Sequence, residues 1–198
     1  MSRAFDWVVT CRLYIRWVLE STTGSQTKTP WTRKAKNNAF RYESESPLTP
    51  EQRTAFKDLQ YFPENPALKI ITTIEEHQTK PAVMMTTSTG SVQEYIKYGQ
   101  FTFEVNGEAA TLQVYQDPAR NYFFLPFVDA TAPDETYGAG RYLDIEPIGN
   151  GQFLIDFNYA YNPYCAYNEQ WSCPIPPREN RLKVRIEAGE KNFKSSEH

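Results

Sequence analysis

Asn106-Gly107 stands between two runs that alternate apolar and polar residues, Phe101–Val105 and Ala109–Tyr115. The tightest hairpin turn needs positive φ at both central positions, which Asn and Gly tolerate, so this pair predicts two antiparallel strands joined by two residues. The same period of two begins upstream. Leu68, Ile70, Thr72 and Ile74 alternate with Lys69, Ile71, Thr73 and Glu75. Further strands are predicted over Ala82–Thr87, Val92–Lys97, Tyr122–Leu125, Arg141–Ile145, Phe153–Phe157 and Leu182–Ile186, with Gly149-Asn150-Gly151 as a second hairpin turn. Many short strands separated by turn chemistry predict a mainly β fold, an antiparallel barrel or sandwich.

Helical signals are confined to the N-terminal side and predict one to three short helices. Thr29 before Pro30 opens one that would carry Trp31, Ala35 and Phe40 inward and Arg33, Lys34 and Lys36 outward, stopped by Ser46-Pro47. Thr49-Pro50-Glu51-Gln52 opens another: Thr49 caps, Pro50 takes the first helical position, and Gln52 reaches back in a capping box. Ahead of these, Ser21–Thr29 is a small-polar linker. Trp7, Val8, Cys11, Tyr14, Ile15 and Val18 share one helical face. Residues 1–29 therefore read as an N-terminal segment and linker, with an amphipathic helix docked on its own domain or on a partner. A membrane-surface anchor is the alternative, but Val9, Leu13 and Trp17 spoil the polar face that it needs. Residues 30–193 read as a single β-rich domain and 194–198 as a tail.

Composition narrows the function. A net charge of -3 and a pI near 5.5 lack the electrostatic footprint of a phosphate-backbone binder, so nucleic acid is not expected as a partner. Mean hydropathy is -0.63 and no long apolar run is present, so neither a transmembrane helix nor a membrane partner is expected. Asp6 interrupts the short apolar run after Arg3, leaving no secretory signal, and a soluble, cytoplasmic protein is expected. There are two histidines, the terminal His198 and His77 in a turn-like stretch. A Ser-His-Asp or Cys-His arrangement, or a histidine-built zinc or iron site, is thus not expected. Gly138-Ala139-Gly140 is a bare GxG before a strand pattern and reads as a sharp turn ahead of Arg141 rather than a phosphate loop. No metal or cofactor is expected.

Candidate chemistry concentrates between Tyr122 and Lys191, where aromatic, acidic, amide, glycine and proline residues interleave. Asp129 follows the apolar Phe123–Val128 run, and Asp156 stands between Ile155 and Phe157. Carboxylates so placed are often partly buried, which raises their pKa unless an arginine lowers it. Arg141 is the natural counter-ion, since a guanidinium grips a carboxylate through parallel hydrogen bonds. Cys165 and Cys173 bracket AYNEQWS, and read as a pair of buried thiols, a disulfide, or, least of all, a metal site without the short Cys-x-x-Cys spacing.

These residues carry a resemblance. Pro126–Thr131, Glu135–Asp144 (ETYGAGRYLD), Asp156–Tyr167 (DFNYAYNPYCAY), Ser172–Pro177 (SCPIPP), Asn180–Leu182 and Ala188–Lys191 (AGEK) together resemble the bacterial and archaeal domain of unknown function sixteen eighty-four. Ser46-Pro47-Leu48, Tyr61-Phe62-Pro63 and Met85–Gly90 fit it too. The resemblance spans roughly Trp31 to Lys191, implies one domain, and implies no particular reaction.

Three readings follow. The first is a soluble small-molecule binding domain with a polar, aromatic-lined pocket. There Arg141 anchors the ligand, Asp129 and Glu135 orient that anchor, and Tyr137, Asp156, Asn158, Tyr161 and Asn162 complete the site. The second is an enzyme in which Asp129 and Glu135 perform acid–base chemistry on a sugar-like or carboxylated metabolite. The third is a scaffold with a buried polar network. All three expect the segments around Asp129, Arg141, Asp156 and Cys165 to converge.

Overall fold

A computed structural model describes residues 28–119 and 122–193, with side chains from Arg33 onward. The predicted amphipathic N-terminal helix, the orientation of Trp31 and the tail lie outside the described residues. The chain divides into two compact units, one running up to Leu59 and the other beginning at Gln60.

The first unit holds helices α1 (Lys28–Tyr42) and α2 (Pro50–Ala55). Helix α1 begins two residues before Pro30. Helix α2 starts as its sequence dictates. Gln52 N donates to Thr49 Oγ1 at 3.2 Å, and Thr49 N to Gln52 Oε1 at 2.8 Å. These bonds satisfy amides that the first helical turn cannot pair. Helix α2 is short, and Phe56, just past it, packs its ring 6.1 Å from that of Phe40. Asn37 ties the segment after α2 to α1, donating to Asp58 Oδ1 at 2.7 Å and accepting from Leu59 N at 3.1 Å.

The second unit is a mainly β, nearly closed antiparallel barrel. Its strands are β1 (Lys69–Thr73), β2 (Glu75–Glu76), β3 (Ala82–Thr86), β4 (Val92–Val105), β5 (Glu108–Asp117), β6 (Tyr122–Phe127), β7 (Arg141–Gly149) and β8 (Gln152–Asp156). Their order is β1-β8-β7-β6-β5-β4-β2, with β3 also paired to β4. The two ends of this order, β1 and β2, are separated in the chain by Ile74 alone. One bent stretch of backbone therefore joins the two margins of the sheet.

The predicted hairpin is present, with Asn106 at φ 51° and Gly107 at φ 83°. Inward-facing Phe101, Phe103 and Val105 meet Leu112, Val114, Leu125, Phe127, Leu143 and Ile155 in one apolar core. Two predicted strands, Val92–Lys97 and Phe101–Val105, are one continuous strand. Its register with β5 shifts between Lys97 and Gly99. The irregularity re-phases the alternation, which is why the sequence reads as two pieces.

Leu182–Ile186 is a correction, because it forms no strand. Its amides go elsewhere: Leu182 N donates to Val128 O at 2.7 Å, and Ile186 N to the Asp129 carboxylate at 2.7 Å. An apolar alternation predicts an extended backbone, but a strand also needs a neighbouring ladder.

Pro126 is tolerated in β6 because pairing with β5 ends before it, at Phe124. Where the two strands part, Asn180 fills the gap with its side chain. It accepts from Gln113 N at 2.8 Å and donates to Gln113 O at 2.9 Å and Pro126 O at 2.7 Å. Asn180 is fully buried, so these bonds replace a missing stretch of ladder.

Candidate functional site

Strand β6 runs into a loop that carries Asp129 inward, and Gly140 returns the chain into β7 at Arg141. Gly140 has φ +106°, and a Cβ there would lie 2.6 Å from Phe127 O. Only glycine brings the two segments this close. Arg141 Nη2 lies 2.9 Å from Asp129 Oδ1, with side chains 1% and 2% exposed.

The rest of Arg141 is occupied by the chain itself. Nη2 donates to Ile186 O at 2.9 Å, and Nη1 to Glu190 O at 3.2 Å and to Ala188 O. The other Asp129 oxygen accepts from Thr131 Oγ1 at 2.8 Å, Thr131 N at 3.2 Å and Ile186 N. Burial pulls the Arg141 pKa down, and Asp129 and Glu190 act against that. The guanidinium remains a cation inside a cage of acceptors. Nε alone of its nitrogens has no acceptor.

A second carboxylate completes this centre, and sequence reasoning assigned it no part in the site. Glu190 is 1% exposed. Its Oε2 accepts from Tyr167 Oη at 2.7 Å and Asn162 N at 2.8 Å, and its Oε1 from Tyr61 Oη at 3.3 Å. Burial, followed by the Glu190 charge, raises the Tyr167 pKa, keeping that phenol a donor. Asn162 Nδ2 donates to Lys191 O at 2.8 Å. The structure thus brings Asp129, Arg141 and Asn162 together through the backbone and side chain of the AGEK motif.

The remaining expected residues form other groups. Glu135 lies at the surface, bonded to Arg185 and, at 3.0 Å, to Lys191 Nζ, so its carboxylate does not face Asp129 or Arg141. Those two cations hold its pKa below the ordinary value. Asp156 Oδ1 accepts from Asn158 N at 3.1 Å and from Asn158 Nδ2 at 2.9 Å, capping a short 3-10 turn. Asn158 then pairs with both backbone groups of Asn65, at 2.8 and 3.0 Å. Tyr161 Oη donates to Asp144 Oδ1 at 3.1 Å, and its ring meets Tyr142 edge-on at 5.9 Å. Tyr137 Oη lies 3.8 Å from Cys165 Sγ, and Cys165 and Cys173 are free thiols. The residues of the expected single centre thus fall into three hydrogen-bonding groups, that of Asp129 and Arg141, that of Asp156, and that of Cys165. Among the described residues no hydrogen bond joins these four side chains across clusters. His77 is partly buried, its Nε2 lying 2.8 Å from Gln113 Oε1.

An open groove of about 740 Å³ lies elsewhere on the barrel. One wall is β3, through Val83, Met84, Met85 and Thr86. The other is the proline-rich run Ile175, Pro176 and Pro177, followed by Arg178, Glu179 and Arg181. Ile175 N donates to Thr86 O at 2.9 Å and pins the two walls at one end. Met84 is 58% and Ile175 39% exposed, so the groove carries apolar surface open to water.

Tyr115, also lining the groove, donates to Glu179 Oε1 at 3.0 Å, and Lys97 Nζ lies 3.1 Å from the same oxygen. Burial works to raise the Glu179 pKa, but backbone, Lys97 and Tyr115 bonds bring it below the ordinary value. Burial, then the Glu179 charge, raises that of Tyr115. Among the described residues the Arg178 and Arg181 guanidinium groups have neither a hydrogen bond nor an ion pair. Sequence reasoning missed this groove because its walls lie some ninety positions apart. The available signal was the stiff Cys173-Pro174-Ile175-Pro176-Pro177 run followed by two arginines.

Among the described residues there is no cluster of side chains that could hold a metal ion, and no helix is long and apolar enough to cross a membrane. Residues 54–191 match the family described as Protein of unknown function (DUF1684). The chain is similar to an uncharacterized protein of Haloarcula marismortui, solved by solution NMR. Identity is 32%, 86% of this chain and 95% of that one are covered, and the TM-score is 0.65. No curated protein matches it.

Proposed function

The chain belongs to the DUF1684 family, and on that premise we propose that it is a small-molecule binding domain whose ligand lies in the groove between β3 and Ile175–Arg181. The observation that carries this reading is the pair Arg178 and Arg181, unengaged by the protein at the edge of an apolar cleft. A volume near 740 Å³ fits a small organic ligand. Exposed Met84 and Ile175 suit an apolar body. The two arginines suit an anionic end group, a carboxylate or a phosphate, because Glu179 is already neutralised by Lys97. Tyr115 gives the floor an aromatic edge with a fixed polar tip.

Arg141 serves another purpose in this reading. Its Nη donors are taken by Asp129 and three carbonyls, so the centre pins the C-terminal segment to the barrel. A reducing compartment such as the cytoplasm suits the free thiols Cys165 and Cys173.

The test uses octanoate as a probe, observed by ligand-detected NMR and calorimetry. Octanoate is expected to bind more tightly than octylamine. The double variant Arg178→Ala, Arg181→Ala should lose that preference with its thermal unfolding unchanged. Equal affinity for the two probes, or an unaffected double variant, rejects the groove as an anion-selective site.

A further inference from the structure

The Cys165–Cys173 cluster takes no part in the groove chemistry proposed above, and its geometry is unequal in a specific way. Cys165 sits on the short 3-10 turn Tyr164–Ala166 and is half-buried, whereas Cys173 is 7% exposed. Cys165 N donates to Cys173 Sγ at 3.3 Å, which places the second sulfur against the first residue's own backbone. Cys173 is held on both sides: its N donates to Ser88 Oγ at 3.1 Å, and its carbonyl accepts from Ser88 N at 2.9 Å. Cys173 is therefore fixed and shielded, and Cys165 is the more exposed residue of the two.

The surroundings of Cys165 favour its thiolate. The Tyr137 phenol donates toward its sulfur at 3.8 Å, and the Cys173 sulfur lies against its amide. Ser88 also approaches, but its single proton goes to Trp171 O at 3.1 Å. The neighbouring Cys173 thiol is the leading cause that brings Cys165 down to about 7, and Tyr137 adds to it. The proximity of Cys165 leads in pushing Cys173 up, with burial next. Burial raises Tyr137, so it stays protonated and keeps donating. A partly exposed thiolate beside a shielded, protonated thiol is the arrangement in which the first reacts and the second resolves.

We propose that Cys165 and Cys173 form a peroxide-responsive dithiol, with Cys165 as the attacking sulfur and Cys173 as the resolving one. The Cys165 thiolate attacks one oxygen of hydrogen peroxide. The O–O bond breaks, the leaving hydroxide takes up a proton to become water, and Cys165 becomes a sulfenic acid. Cys173 sulfur then attacks Cys165 sulfur. The S–S bond forms, the S–O bond breaks, and the departing hydroxide takes the Cys173 proton as water. Two thiols and one peroxide give one disulfide and two waters. Tyr137 is a positioning residue that stabilises the attacking thiolate.

The experiment uses the full chain carrying Cys11→Ser, so that Cys165 and Cys173 are its only thiols. After reduction and desalting, stoichiometric peroxide should lower the intact mass by two hydrogens, and dithiothreitol should restore it. With Cys173→Ser added, dimedone should trap one sulfenic acid at Cys165. With Cys165→Ser added, Cys173 should remain unmodified over the same time. Tyr137→Phe should slow iodoacetamide labelling of Cys165 at pH 7 about fivefold if the thiol pKa rises by one unit from about 7. An unchanged mass after peroxide, a disulfide between two chains instead of within one, or oxidation of Cys173 without Cys165 would overturn the proposal. Unchanged labelling in Tyr137→Phe would remove Tyr137 from it.

Discussion

Asp129 and Arg141, twelve positions apart, form an ion pair at 2.9 Å in which neither side chain is more than 2% exposed. Desolvating both charges is costly, and the pair persists because Nη1, Nη2 and the second Asp129 oxygen are bonded to backbone groups and to Thr131, leaving Nε alone without a partner. Arg141→Met leaves the Asp129 carboxylate buried beside three carbonyls that have lost their donor. The expected loss is roughly 3–5 kcal/mol of unfolding free energy, read by urea denaturation. The double variant Asp129→Leu, Arg141→Met should lose less than the sum of the single changes. Strict additivity would show that the pair is not energetically coupled.

Asn180 stands in for backbone where β5 and β6 separate. Asn180→Ala leaves Gln113 N, Gln113 O and Pro126 O without partners, each about 1–3 kcal/mol when buried. Asn180→Asp is the sharper test. It keeps the size but aims an oxygen at two carbonyls, so its melting temperature should fall at least as far as that of the alanine variant. An Asp variant as stable as the wild type would contradict the assigned amide orientation.

Gly140 and Gly138 offer a matched comparison. A Cβ on Gly140 meets Phe127 O at 2.6 Å and Pro176 Cγ at 2.8 Å, on a backbone at φ +106°. A Cβ on Gly138 meets nothing nearer than Pro133 Cβ at 3.3 Å. Gly140→Ala should cost more than the roughly 1–3 kcal/mol of backbone strain alone, and Gly138→Ala distinctly less. Differential scanning calorimetry of the two variants decides it, and equal losses would refute the close approach.

Glu135 supplies a pH signature. The bonds from Arg185 and Lys191 hold its folded pKa below the ordinary 4.5. A lowered carboxylate adds stability that is complete above the unfolded value and is lost as pH falls through the folded one. Glu135→Gln should therefore show a shallower loss of stability than wild type as the solution is acidified below about pH 4.5. Identical acid profiles for the two proteins would remove Glu135 from the acid response.

The sequence carried much of this in local chemistry. Asn106-Gly107 and the Thr49–Gln52 box are legible because a turn or a cap is decided by the residues that form it. Arg141 and Asp129 were recognisable as partners, since a buried guanidinium needs a carboxylate. That three carbonyls between Ile186 and Glu190 would close around Arg141 was not legible, because backbone groups look alike in every sequence. Leu182–Ile186 read as a strand for the same reason: alternation reports exposure, whereas the Asp129 side chain takes the Ile186 amide that a ladder would have used. The groove depends on Thr86 meeting Ile175, a register between distant segments that no single stretch encodes.

The passage of β1 through Ile74 into β2 has a consequence for how the barrel assembles. Each hairpin from β3 to β8 can zip with a near neighbour, but Lys69–Thr73 must wait for Gln152–Asp156 to be made before it has anything to pair with. No ladder joins β1 to β2, so the covalent passage through Ile74 is what holds these two unpaired margins side by side, and it keeps their open edges from strangers.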